Sequence, residues 1–402
     1  MDETPPRRAT VLVIDACGVG ALPDAALYGD EGTNTLAHVA DAVGGLELPT
    51  LARLGLGSIL PLRGVPPASD PVIHGRLHPL GPGKDSVTGH WELMGVVMAH
   101  PLPTFPRGFP ANVIARLSRA TGHELLCNRP YNGIAAIDDY GAEHLRTGAL
   151  ILYTSQDSVL QLAAHEERVA PADLYRACAA ARAALTAEHG VGRVIARPFI
   201  GSPGAFRRTN GRRDFTLPPP SHSYLEELQD AGVDVHGVGK IGDLFAGVGI
   251  AWGHAGVCNT QALQAADAVL GELERGLVFV NLIETDQVYG HRKDVEGFAR
   301  SLRDIDRDLE LRLTRLGSGD LLIVTADHGV DPAHPGTDHT REYAPLLAVT
   351  GPMLKARASG TRAPAHAGGT RHDGPLADVG ATVLRWLTGR GADGLPGEAF
   401  IS

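Results

Sequence analysis

Lysine is scarce in this 402-residue chain: of its 36 basic residues only Lys84, Lys240, Lys293 and Lys355 are lysine, and the rest are arginine. Together with 50 glycines this is a compositional bias, so a single arginine reads first as a solvating group and a lysine inside a motif carries more weight. Cysteine is sparse as well. Cys17, Cys127, Cys178 and Cys258 are scattered with no CxxC pair. That excludes a disulfide or thiolate-zinc framework and suits reduced thiols in a cytoplasmic protein. No apolar run approaches the ~18 residues of a membrane span, so no membrane partner is expected. The first apolar run, Val11–Ile14, is too short for a signal-peptide core and reads as a strand. Excess positive charge is also missing. A net charge of -10 argues against a general nucleic-acid binder. Nothing calls for an obligate protein partner, and there is no internal repeat.

What is present is a globular composition, 43% apolar, in a chain longer than the ~250–300 residues at which a single core stops growing. Two domains are therefore expected. Proline clusters at Pro101–Pro106 with Pro110, and at Pro218–Pro220, read as extended linkers. They predict a core made of residues 1–101 and 220–402 with a domain inserted at 102–219. In the core, strands are predicted at Val11–Ile14, Val233–Val238, Leu277–Ile283, Leu321–Thr325 and Pro345–Val349. Helices are predicted at Thr35–Val43 (with Thr35 as N-cap), Leu48–Leu54, Gln261–Glu274 and Leu376–Leu387. Another carries Phe298, Leu302, Ile305, Leu309, Leu313 and Leu316 at steps of three or four and stops at Gly317. Apolar strands alternating with amphipathic helices imply an α/β fold with a parallel sheet covered on both faces. The insert has its own αβ pattern: strands Leu150–Tyr153 and Arg193–Phe199, and between them a helix burying Leu174, Cys178, Ala181 and Leu185. Residues 356–374 read as a polar loop.

Sites in parallel α/β sheets form at the carboxyl ends of strands. Three strands here end in acids: Val-Leu-Val-Ile runs into Asp15, Val-Asn-Leu-Ile-Glu-Thr into Asp286 with His291 following, and Leu-Ile-Val-Thr-Ala into Asp327-His328. A short loop then reaches Asp338-His339. Carboxylates and imidazoles in this mixture suit two divalent ions of borderline hardness, such as Mn²⁺ or Zn²⁺, which can clamp a phosphoryl group. A strand-end Asp alone equally serves as a helix cap or turn former; three such ends in one chain favour the metal site.

The segment Gly83–Glu92 reads as a loop entering a helix, with Ser86 near its N-terminus, where an anion is favoured. A metal-coordinated hydroxyl is a usable nucleophile. The competing reading is that Asp85 or Ser86 caps the helix, and Thr88 is a second hydroxyl candidate. In the insert, Arg193, Arg197, Arg207, Arg208, Arg212 and Arg213 form a basic stretch with no acid among them, suited to a phosphate ester.

These motifs together resemble the phosphopentomutases of the alkaline phosphatase superfamily. They are VIDACGVG (13–20), GKDSVTGHWELMG (83–95), YTSQDSVLQLAAHEE (153–167), GRVIARPFIGSPGAF (192–206), GKIGD (239–243), YGHRKD (289–294) and TADHGVDPAHPGTDHTREY (325–343). The resemblance implies an alkaline-phosphatase-like core, with a central mostly parallel sheet sandwiched by helices, plus a smaller α/β cap. It implies two Mn²⁺ ions, one on Asp286, His291 and His339 and the other on Asp15, Asp327 and His328. The hydroxyl of Ser86, where the family usually carries threonine, would accept the phosphoryl group. Asp157, Arg193, Arg208 and Lys240 would bind the sugar phosphate. The implied reaction interconverts α-ribose 1-phosphate, or its 2-deoxy analogue, with the 5-phosphate through a phospho-enzyme and a 1,5-bisphosphate, primed by a sugar bisphosphate activator. Alternatives are a metal-dependent phosphatase or phosphoglycerate mutase of the same superfamily, or a non-catalytic sugar-phosphate-binding protein. The insert motifs favour the pentomutase.

Overall fold

A computed structural model describes residues 6–155, 158–359 and 370–401. The chain divides into two compact units, Met1–Ala99 with Pro219–Ser402, and His100–Pro218.

The larger unit is built on an eight-stranded sheet in the order Trp252–His254, Asp234–Val238, Gly276–Leu282, Arg8–Ile14, Asp320–Thr325, Ala344–Thr350, Ile73–His78 and Gly374–Pro375. The first five run parallel. Every position of Gly276–Leu282 and Asp320–Thr325 is buried, the pattern of strands covered on both faces. Helices Asn259–Glu272 and Asp378–Thr388 pack on Gly276–Leu282 and Arg8–Ile14 respectively. The long helix Val295–Arg315 buries Phe298, Leu302, Ile305, Leu309 and Leu313 on one stripe, as its spacing predicts. It also buries Asp306, whose carboxylate accepts from Thr50 N (3.1 Å) and Leu51 N (2.7 Å), tying down the start of helix Pro49–Leu54.

The sheet is mostly parallel, as the resemblance implies, with Ala344–Thr350 pairing antiparallel with Asp320–Thr325 and Ile73–His78. Residues 326–343 contain no crossover helix, so the chain can only turn back alongside the strand it has left. Three local expectations are corrected. Asn34, not Thr35, is the N-cap of Thr35–Ala42 and accepts from Ala37 N; the Thr35 hydroxyl is drawn instead to Glu342 at 2.7 Å. The long helix ends at Arg315 with an extended Leu316, and Gly317 donates its N–H to Asp320 Oδ2 at 2.7 Å. The loop assigned to 356–374 begins inside helix Gly351–Ala358, capped by Thr350, and residues 370–375 run beside Ile73–His78. Residues 360–369 lie outside the described residues.

The smaller unit holds a six-stranded sheet in the order Leu125–Pro130, Leu150–Thr154, Val159–His165, Arg193–Ile200, Arg207–Arg208, with Arg213–Thr216 also on Arg193–Ile200. Side chains alternate between its faces. One apolar cluster joins Leu150, Leu152, Leu160, Leu162, Val194 and Ala196 to Val113, Leu117, Leu174 and Cys178 of helices Ala111–Thr121 and Pro171–Ala184. The other joins Ile151, Tyr153, Ala163 and Phe199 to Ala136 and Ile137 of helix Gly133–Thr147. Among the described residues, no helix is long and apolar enough to cross a membrane.

Candidate metal centre and nucleophile

Strand register places three acids at one edge of the large sheet. Ile14 pairs with Leu282, and Val13 with Thr325, so Asp15, Asp286 and Asp327 leave neighbouring strands on the same side. Asp15 is fully buried. Its Oδ2 accepts from Asn281 Nδ2 at 2.9 Å, and its backbone carbonyl from the Thr285 hydroxyl at 2.6 Å. Asp327 Oδ1 accepts from Ala16 N at 3.1 Å. Ala16 has φ +62°, a left-handed conformation rare for a residue with a Cβ, and the turn it makes aims that N–H. Asp286 lies in the first turn of a short helical segment over Thr285–Gly290.

The histidines arrive with their tautomers set. His328 Nδ1–H donates to Gly329 O at 3.0 Å, leaving Nε2 3.1 Å from Ser86 Oγ, 3.2 Å from Asp327 Oδ2 and 3.5 Å from Asp15 Oδ1. His291 Nδ1–H donates to Thr337 O at 2.7 Å, leaving Nε2 3.3 Å from Asp286 Oδ1. His339 Nε2 faces that same oxygen at 3.2 Å. A ligating histidine is typically held in this way, one nitrogen on a carbonyl and the other presented. Two groups of three buried side chains place ligand atoms within 4.8 Å of one another: Asp286, His328 and His339, and Asp15, Asp327 and His328. His328 thus belongs to both. His291 lies beside Asp286 but outside the two groups.

The electrostatics are those of buried carboxylates and imidazoles packed close together. Burial, with Asp327 and Asp286 nearby, pushes Asp15 up to about 6. Burial acts to depress His328, yet the carboxylates of Asp327, Asp15 and Asp286 raise it to about 10. Burial acts to raise Asp286, but the hydrogen bond and charge of His339 bring it below the usual carboxylate range. Asp286 Oδ1 and Asp327 Oδ2 are buried, and each is faced by two imidazole nitrogens within 3.3 Å, from His291 and His339 on the one and from His90 and His328 on the other. Carboxylate oxygens and presented imidazole nitrogens converging on this spot fit divalent metal ions of borderline hardness.

Ser86 opens the helix Ser86–Leu93. The cap is Asp85, whose Oδ1 accepts from Val87 N (3.0 Å) and Thr88 N (3.1 Å), while Thr88 Oγ donates to Asp85 Oδ2 at 2.9 Å. Thr88 is therefore absorbed into the cap. The Ser86 hydroxyl is left free of that duty, 8% exposed, beside His328 and 3.5 Å from Asp15 Oδ1. The loop before it is pinned: Arg341 Nη1 donates to Gly83 O at 2.7 Å and Lys84 pairs with Asp30 at 2.9 Å.

The remaining sequence candidates are dispersed. Lys240 starts the short helix Ile241–Leu244 in the larger unit, and its charge opposes the rise at Asp15. In the smaller unit Arg208 Nη2 donates to the Tyr153 hydroxyl at 2.9 Å, and Arg193 lies 3.8 Å from Asp214, which also pairs with Arg212. Asp157 lies outside the described residues. Sequence reasoning missed His90, Asn281 and Glu342. Glu342 is buried and accepts from Gly20 N, Thr35 N, and the Thr35 and Thr340 hydroxyls, which holds the chain just after His339. The one available signal was His90 lying a helical turn after Ser86.

Residues 7–388 match the model of the Metalloenzyme superfamily. The chain is 46% identical to a phosphopentomutase of Caldanaerobacter subterraneus over 94% of this chain and 93% of the relative. It is 48% identical to one of Anaeromyxobacter dehalogenans over 95% of each. Among solved structures it is similar to a phosphoglycerate mutase of Leishmania mexicana, at 13% identity and a TM-score of 0.46, over 99% of this chain and 98% of that one. With nearly half its residues shared along almost the whole length of these curated relatives, the chain belongs to the phosphopentomutase family of the Metalloenzyme superfamily, a family of isomerases.

Proposed function

We propose that the protein interconverts α-ribose 1-phosphate, and its 2-deoxy analogue, with the corresponding 5-phosphate, using Ser86 as the phosphoryl carrier. The observation that carries this reading is the Ser86 hydroxyl, freed from capping by Asp85 and set 3.1 Å from His328, the one side chain common to both candidate ligand groups. Asp15, Asp327, His328, Asp286, His339 and His291 would hold two divalent ions, Mn²⁺ in the reading adopted here. When bound, such ions lower the pKa of a coordinated hydroxyl and neutralise charge on the transferring phosphoryl group. Phosphorylated Ser86 gives its phosphoryl group to the free hydroxyl of the pentose monophosphate. The P–O bond to Ser86 breaks, one to the sugar forms, and a 1,5-bisphosphate results. The other phosphate then returns to Ser86 and regenerates the carrier, so a trace of sugar bisphosphate primes the cycle. Asp157, Arg193, Arg208 and Lys240 are the proposed contacts of the sugar phosphate; arginine forks match phosphate oxygens two at a time. Water must be excluded throughout, because the phosphoserine would otherwise be hydrolysed.

The test is to incubate the Mn²⁺-loaded protein with ribose 5-phosphate and a trace of a sugar bisphosphate, quench with EDTA and record the ³¹P spectrum. A C1-phosphate resonance in equilibrium with the C5 ester, with little free phosphate, is expected. Free phosphate alone would replace this reading with that of a phosphatase on the same metal core.

A further inference from the structure

His90 lies behind the proposed metal ligands. It is fully buried on helix Ser86–Leu93, one turn after Ser86, with its ring 5.9 Å from that of Phe279. Shielded from solvent, it touches three parts of the site. Its Nδ1 is 2.8 Å from the Ser86 carbonyl and 3.0 Å from Asp327 Oδ2. Its Nε2 is 3.2 Å from Asn281 Nδ2, and that same amide nitrogen is 2.9 Å from Asp15 Oδ2.

The donors and acceptors leave one consistent assignment. Turned over, the Asn281 amide would set its oxygen against the Asp15 carboxylate at 2.9 Å, oxygen facing oxygen. The NH₂ group therefore points there and spends one hydrogen on Asp15 and the other on His90 Nε2. Nε2 must then be an acceptor, so the imidazole is neutral and carries its proton on Nδ1. That proton serves the Ser86 carbonyl and the Asp327 carboxylate, both of which can only accept.

We propose that His90, as the neutral Nδ1–H tautomer, is a positioning residue that fixes Asp15 (through Asn281), Asp327 and the first turn bearing Ser86 in one register. This rests on the metal reading of the site given above. Asp15 and Asp327, which the relay reaches, belong to one ligand group, whereas Asp286 and His339 belong to the other. Loss of His90 should therefore weaken one metal position selectively. Partners of this kind are typically worth 10–100-fold in metal affinity.

The experiment titrates the intact protein with Mn²⁺, reading free Mn²⁺ by electron paramagnetic resonance, for wild type, His90→Ala, His90→Asn and His90→Gln. An Asn amide reaches the place of Nδ1 and keeps the donor to Asp327. A Gln amide reaches the place of Nε2 and keeps an acceptor for Asn281. The expected result is two Mn²⁺ bound by wild type, with one weakened 10–100-fold in His90→Ala and to a lesser degree in each amide variant, the other unchanged. If His90→Ala binds both ions as wild type does, even with a lowered melting temperature, His90 is only a packing residue and the proposal fails. If His90→Ala does not fold, wild-type affinities in both amide variants overturn it equally. A wild type that takes up no Mn²⁺ overturns the metal reading itself, a result distinct from either of these.

Discussion

Gly89 sits one turn into the helix Ser86–Leu93, where that helix rests on the segment carrying Asp327. A Cβ at position 89 would lie 2.5 Å from the Asp327 carbonyl oxygen and 2.9 Å from its Cβ. Ordinary contact begins at 3.4 Å, so Gly89→Ala must push helix and strand end apart by about 0.9 Å. Neither side is the free end of a flexible side chain. Overpacking of this kind costs ~1–3 kcal/mol. The better helix propensity of alanine returns up to ~1 kcal/mol, leaving a net stability loss of ~0–2 kcal/mol. The effect on turnover is larger, because Ser86 rides on the displaced turn and a misplacement of ~1 Å costs on the order of 100-fold in rate. The assay pairs a thermal melt with steady-state conversion of ribose 5-phosphate at saturating Mn²⁺. Gly271→Ala is the control: it lies in helix Asn259–Glu272 with nothing within 4 Å of the added Cβ, and should leave turnover unchanged. Wild-type turnover in Gly89→Ala would refute the claim that the seating of this helix on Asp327 sets the position of a Ser86 hydroxyl needed for turnover.

Ser86→Ala should abolish phosphoryl transfer while retaining Mn²⁺ binding, and Thr88→Ala, which loses only the hydroxyl's bonds to Asp85 Oδ2 (2.9 Å) and Asp85 O (3.2 Å), should keep most activity at a stability cost of ~1 kcal/mol; comparable activities in the two would reassign the acceptor. Arg208→Ala should raise KM for pentose phosphates ~10–100-fold, the worth of a charge-assisted hydrogen bond, and leave hydrolysis of a small generic phosphate ester little changed; equal losses on both substrates would remove Arg208 from the sugar-phosphate site. His144 is buried in the smaller unit, with Nδ1–H donating to Ala149 O at 2.7 Å and Nε2 accepting from His165 N at 2.8 Å, and burial lowers its pKa from 6.5. The native state then excludes a proton that the unfolded chain accepts, so the stability His144 contributes is present above pH 6.5 and declines as pH falls below it. The difference in melting temperature between wild type and His144→Gln should narrow from pH 8 to pH 5, and a difference that stays constant would remove His144 from this account.

The strands, the long amphipathic helix and the acids at strand ends were legible because each depends on a short stretch of chain. An apolar run with Asp after it, as at Val11–Asp15, says both that a strand is buried and where it stops. A stripe such as Phe298, Leu302, Ile305 and Leu309 encodes its own buried face. The antiparallel course of Ala344–Thr350 was not legible. Its residues are as apolar as those of its parallel neighbours, and direction depends on the length and content of the connection rather than on the strand. Nor could Thr35 be known to lose its cap role, because the carboxylate that claims its hydroxyl lies 307 positions away in Glu342.

For the site the division runs along the same line. Sequence alone determined the chemistry on hand: carboxylates and imidazoles at the ends of apolar strands, a hydroxyl at the start of a helix, and arginines in the insert. Tertiary structure decided which atoms meet. Register set Val13 against Asn281, and pleating turned the Asn281 amide toward Asp15 and His90. A polar residue in the middle of a buried strand has no local reading, because what it serves belongs to other segments. That Asp85 rather than Ser86 caps the helix was likewise decided in space, as was the meeting of the Ser86 hydroxyl with His328, 242 positions further on. Residue type carries reactivity, but only the packed sheet fixes the few ångströms over which a lone pair, a proton and a hydroxyl act on one another.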